Sequence, residues 1–240
     1  MRSLLLLLSL CSFASAASAG GIDLTVNACP QNPGAGHDAV LDCATGQTVS
    51  LLATFVPGSA MSDLIAIDVD LGVTISLGCD GPNCVPACDL DLGSSATFWN
   101  FSQNTTTSSH LRPAGCLNYV DTWNVGGGAS LALGSMTDAC SSRISAICYR
   151  PSPIAVAAND RLFGVLVVVD GSTAVEAGGT LTGCAHFANV TLRGIQPHAQ
   201  SGNDGPALTN PALSGTSVHL NDSPVAVRAT TWGRLKSLYR

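Results

Sequence analysis

The most regular stretch of the chain spans residues 64–77. Ile65, Ile67, Val69, Leu71, Val73, Ile75 and Leu77 alternate with Ala66, Asp68, Asp70, Gly72, Thr74 and Ser76. A period of two sets one face of a strand against a core, whereas a helix would scatter the same residues around its surface. The stretch is long for one strand, and Gly72 is expected to mark a bulge or bend in it. Residues 48–56 form a second strand, closed by the turn pair Pro57 and Gly58. Residues 161–169 are apolar on both faces and predict a central strand covered on both sides. Asp170 and Gly171 then turn the chain, and residues 180–192 form a fourth strand. Shorter strands are expected at 22–26, 97–101, 119–125, 142–149 and 216–220. Residues 78–92, rich in cysteine, 126–134, rich in glycine, and 196–211 read as loops. The sum is an all-β chain, an antiparallel β-sandwich (jelly-roll or cohesin-like) of about 8–10 strands with disulfide-stapled loops.

Composition supports this. Only 11% of residues are charged, with one lysine (Lys236) and one glutamate (Glu176). Asp, Ser, Thr, Asn and Gly carry the polarity, and these favour turns and caps over helices. The net charge of −6 leaves no basic face to neutralise phosphates, which argues against a nucleic-acid partner.

Arg2, a leucine run from Leu4 and the small residues Ala14 to Ala19 describe a secretory signal peptide, residues 1–19. The run is shorter than the roughly 20 apolar residues of a bilayer span, and no transmembrane segment is expected after cleavage. Residues 20–222 form one β-sandwich domain, since no linker divides them convincingly. Residues 223–240 form a basic amphipathic tail, in which Trp232, Leu235, Lys236, Tyr239 and Arg240 are candidate recognition residues. Nine cysteines follow the signal peptide: Cys29, Cys43, Cys79, Cys84, Cys88, Cys116, Cys140, Cys148 and Cys184. Export favours disulfides. Cys29 with Cys43 is the expected pair, closing a turn-rich loop at a gain of about 3 kcal/mol. An odd count leaves one thiol over.

The order of elements carries a resemblance. A strand at 48–56, a small turn and the alternating strand come first. Asn159, Asp160, Arg161, Leu162, Phe163 and Gly164 then lead into a buried strand, and Gly178, Gly179, Thr180 and Leu181 lead towards Asn189, Val190, Thr191 and Leu192. This resembles the layout of cohesin-type and carbohydrate-binding β-sandwich modules of exported bacterial proteins, over about half the chain. The ending from Thr231 to Arg240 is similar to the terminal peptide of some secreted bacterial proteins. The resemblance implies a binding or scaffold role and carries over no site residues; the cysteine-rich insert departs from ordinary cohesins.

Candidate chemistry is sparse. No G-x-S-x-G elbow, H-E-x-x-H or P-loop is present. One glutamate excludes a glutamate pair, but aspartates could serve a glycosidase-type carboxylate pair. His37, His110, His186, His198 and His219 are scattered, and a triad assembled from distant positions stays open. Cys79, Cys84 and Cys88, with Cys116, could supply thiolates to zinc, although export favours disulfides. Asp80, Asp89 and Asp91 crowd one loop and make calcium the candidate cation, with a solvated acidic loop as the alternative. Trp99, Tyr119 and Trp123 fall close together with Asn100, Asn118, Asp121 and Asn124; exposed rings stack on sugars, while rings alternating on strands fill a core. The N-x-[ST] sites at Asn100, Asn104, Asn189 and Asn221 matter in a eukaryotic source alone. The expected protein is secreted or held at the cell surface, is not an enzyme, needs no cofactor, and binds a protein or glycan. The alternatives are an aspartate-based secreted hydrolase and a purely structural surface protein.

Overall fold

The structure is a computed structural model that describes residues 20–40, 48–77, 100–101, 110–124, 126–133, 141–170 and 186–221. It is mostly β-strand. Its strands are β1 (Gly21–Val26), β2 (Asp38–Ala39), β3 (Thr48–Val56), β4 (Met61–Leu77), β5 (Asn100–Phe101), β6 (Gly128–Leu133), β7 (Ser141–Val156), β8 (Leu162–Asp170), β9 (His186–Ala199) and β10 (Ser217–Leu220). The helical turn Ala114–Cys116 is of the 3-10 type. The strands form two sheets, ordered β1-β3-β8-β5 and β2-β10-β9-β4-β7-β6. All pairs are antiparallel except β10 with β2, which is parallel.

The alternating stretch lies at the centre of the larger sheet, paired with β7 on one side and β9 on the other. Ile67, Val69, Leu71 and Val73 are buried as the period requires. A register shift between Leu64 and Ala66 resets the alternation, so Leu64 rather than Ile65 is the buried residue before it. The irregularity expected at Gly72 falls one step away, between Asp70 and Leu71, and the extra residue belongs to β9. Gly194 pairs with Asp70 and Leu192 with Leu71, which leaves Arg193 over. Its guanidinium lies where a Cβ on Gly72 would stand, so glycine here makes room for the bulged arginine.

One hydrophobic cluster draws on both sheets. It takes Leu24, Leu51, Phe55 and Val165 from the smaller, and Ile67, Val69, Ile144, Ala146, Val190 and Leu192 from the larger. The smaller sheet is covered on its other side as well, since β1 is buried at all six positions. Asp23 there accepts hydrogen bonds from the backbone N–H groups of Leu213, Ser214 and Gly215. Ile22 and Leu24 donate to Asn210 and Gly215, so residues 210–215 close the edge of the sheet.

Several expectations are corrected. Cys29 pairs with Cys116, not Cys43. The bridge fastens the segment after β1 to the 3-10 turn, where Cys29 also donates its N–H to Gly115. Cys148 is no disulfide partner but a free, buried thiol, pushed up to about 12 by burial. Residues 128–133 form a strand, not a loop. Gly126 takes a φ of 66°, and a Cβ on Gly127 would press on the carbonyls of Trp123 and Tyr149, so these glycines bring the chain into register rather than out of the sheet. Residues 119–124 form no strand, apart from a bridge between Val120 and Leu162. β9 continues to Ala199, through Pro197. β10 pairs with residues 188–191 alone, so that flank of Pro197 needs no donor. Residues 1–19, the tail from 223, and Cys43, Cys79, Cys84, Cys88, Cys140 and Cys184 lie outside the described residues.

Candidate functional site

Two of the three aromatic candidates are in the core. Trp123 is fully buried and its indole N–H donates to the carbonyl of Phe163 at 2.9 Å. Tyr119 is buried beside Pro30, and desolvation pushes its phenol up to about 12. Neither ring is available to stack on a ligand. Buried Trp and Tyr find polar partners inside the fold, as these two do. Trp99, the calcium candidates Asp80, Asp89 and Asp91, and the tail residues Trp232, Leu235, Lys236, Tyr239 and Arg240 lie outside the described residues.

A different constellation forms on the outward face of the larger sheet. The polar positions of β4 that alternate with the core, Asp68 and Asp70, face out between β7 and β9. From β7, register places Ile147 opposite Asp68 and Ser145 opposite Asp70. From β9 it places Gln196 opposite Asp68 and Gly194 opposite Asp70. These residues, with Arg143, line an open cavity of about 330 Å³. Ala207 forms part of its wall, from the segment after β9 that folds back along it. That segment is pinned by paired backbone hydrogen bonds between Ile195 and Leu208 and by Gln196 Nε2 donating to Gly205. It is also held by Ser201 N–H donating to Asp63, whose carboxyl is lowered by hydrogen bonds from Ser201.

The charged side chains that line the cavity are paired. Arg143 donates Nε and one terminal nitrogen to the two oxygens of Asp70, at 2.7 and 3.0 Å. This two-pronged contact holds the guanidinium pKa above its usual value. His198 faces two carboxylates, with Nδ1 at 2.9 Å from Asp204 and Nε2 at 3.0 Å from Asp68. Burial pulls its pKa down, but the hydrogen bonds and charges of Asp204 and Asp68 outweigh that and leave it above the ordinary histidine value. Asp204 is lowered, first by the Ala199 N–H and then by His198. Beyond Ile147, which is 47% exposed, the same face of β7 presents Tyr149, 52% exposed. Its ring lies over Gly128, where a Cβ would stand 2.7 Å from the phenol oxygen.

The sequence contains a faint sign of this site. In a chain with so few charges, Asp68 and Asp70 sit two apart on one strand face, and Gln196 and His198 do the same further on. Among the described residues no group of three His, Cys, Asp or Glu side chains is arranged to hold a metal ion, and no helix is long and apolar enough to cross a membrane. Compared with protein-family models, curated proteins and solved structures, the chain matches none.

Proposed function

We propose that the chain is an exported, non-catalytic β-sandwich protein that binds a glycan on the open face of its six-stranded sheet. The observation that carries this reading is the 330 Å³ cavity, whose ionic side chains are already matched to one another, beside the exposed Ile147 and Tyr149. A surface with its charges matched internally suits a neutral ligand. Arg143, Asp70 and Gln196 offer flat donor and acceptor edges to hydroxyls, and an exposed ring and an isoleucine offer apolar area to the C–H face of a sugar. The shared core of the two sheets supports a sandwich, and a binding role is also what the resemblance of the sequence layout to cohesin-type and carbohydrate-binding modules implies.

The hydrolase alternative would place two aspartates in one cleft with different tasks. Asp68 and Asp70 do share the cavity, but each contacts a basic side chain. The test is retention of the mature protein on insoluble cellulose, chitin and xylan, beside Tyr149→Ala and Arg143→Ala variants whose fold is checked by circular dichroism. Binding by the parent that falls at least tenfold in both variants supports the reading. A folded parent retained by none of the polymers removes the glycan and passes the groove to a protein partner. Release of soluble sugar would favour the hydrolase.

A further inference from the structure

Asp68, which lines the groove, is held by a histidine that a second acid, on a different element, contacts from its other side. Asp68 belongs to β4, His198 to β9 and Asp204 to the segment that forms the groove wall. Both ring nitrogens lie within hydrogen-bond distance of carboxylate oxygens, which only accept. A neutral imidazole has one N–H, so one nitrogen would turn its lone pair on a carboxylate. With both carboxylates ionised, the arrangement fits the doubly protonated ring.

We propose that His198 is a pH-responsive clasp on the groove, joining Asp68 of the sheet to Asp204 of the wall as an imidazolium and releasing Asp68 into the groove when it loses its proton. Asp68 is the partner released. Asp204 keeps a second hold through Ala199 N–H at 2.8 Å, while Asp68 makes no other hydrogen bond to a described residue. The charged groups facing the ring are Asp68 from β4 and Asp204 from the wall. Asp63, earlier on β4, is engaged by Ser201. Arg143, on the β7 flank, is engaged by Asp70 and does not compete for Asp68.

The direction follows from the histidine being raised. The clasp is complete below the unfolded histidine value of about 6.5 and is lost as the pH rises through the higher folded value. Above that point the groove carries one more unmatched negative charge. The pairing of His198 with the two carboxylates needs no ligand; its bearing on one rests on the groove reading above.

The test uses the ligand-free protein, so it can fail independently of glycan binding. The ring signals of His198 are followed by NMR from pH 5 to 9 and assigned with His198→Gln. The Asp68 and Asp204 carboxyl carbons are followed alongside. The expected result is a midpoint above 6.5, a matching transition at both carboxyl carbons, and a fall in midpoint of about half a pH unit in each of Asp68→Asn and Asp204→Asn, the scale of an exposed pair. A midpoint at or below 6.5 that neither variant moves, or an Asp68 carbon blind to the transition, overturns the clasp.

Discussion

Replacing Cys29 and Cys116 together by alanine removes a cross-link between residues 87 apart in sequence. Without it, the unfolded chain regains the freedom of a loop of that size. Loop-closure entropy puts this at about 4.6 kcal/mol at 25 °C. Cys43, Cys79, Cys84 and Cys88 lie inside the loop. Any bridge among them would shorten it, but halving the free length removes only about 0.6 kcal/mol. Both sulfurs are buried, and their loss adds to the cost. Against a typical total of about 5–15 kcal/mol, the double variant should be marginal. Urea unfolding followed by far-UV circular dichroism should show stability falling by about 4–5 kcal/mol. The slope should be steeper, because the unfolded state is less confined. A loss under about 1 kcal/mol would refute the reasoning, and so would peptide mapping that joins Cys29 to Cys43 in the parent.

Trp123→Ala should cost about 3–5 kcal/mol, for the cavity left by a fully buried ring, with the Phe163 carbonyl also losing its donor; a change within 1 kcal/mol by the same urea assay would return Trp123 to the surface. Asp23→Ala strands the N–H groups of Leu213, Ser214 and Gly215. Leu213 and Ser214 are exposed, so water can replace the lost acceptor, and the expected loss is that of hydrogen bonds to one carboxylate, about 1.5–3 kcal/mol, together with faster amide exchange at those three residues; exchange as slow as in the parent would count against it. Cys148, with its thiol raised to about 12 by burial, should resist alkylation at pH 8 until the protein unfolds, as peptide-level mass spectrometry can read; prompt labelling in the native protein would contradict its placement.

The strands were legible where periodicity was strong. Residues 48–56 match β3, and the alternating stretch is the middle strand of the larger sheet. Failures came where one residue type serves two purposes. Glycines at 126–128 suggested a loop, yet they permit close approach to Trp123 and Tyr149 at the start of a strand. The aromatic cluster fitted either a sugar-stacking surface or a core, and burial with a backbone partner decides for the core at Trp123. Nearness in sequence suggested Cys43 for Cys29, but the segment bearing Cys116 packs there instead. The groove was the least legible part. His198 and Asp68 meet only because β4 and β9 pair, and nothing local to either residue specifies that register.

The position of β4 also bears on how the chain reaches its fold. Its partners β7 and β9 both lie far downstream, while its neighbour in sequence, β3, belongs to the other sheet. As the chain is made, β4 therefore emerges with both edges open and no local hairpin to shelter it. Domains dominated by such distant pairings fold slowly, and open apolar edges invite pairing with other copies in the interval. Refolding yield should accordingly fall as protein concentration rises, and a holding chaperone that covers β4 until residue 199 is available should restore it.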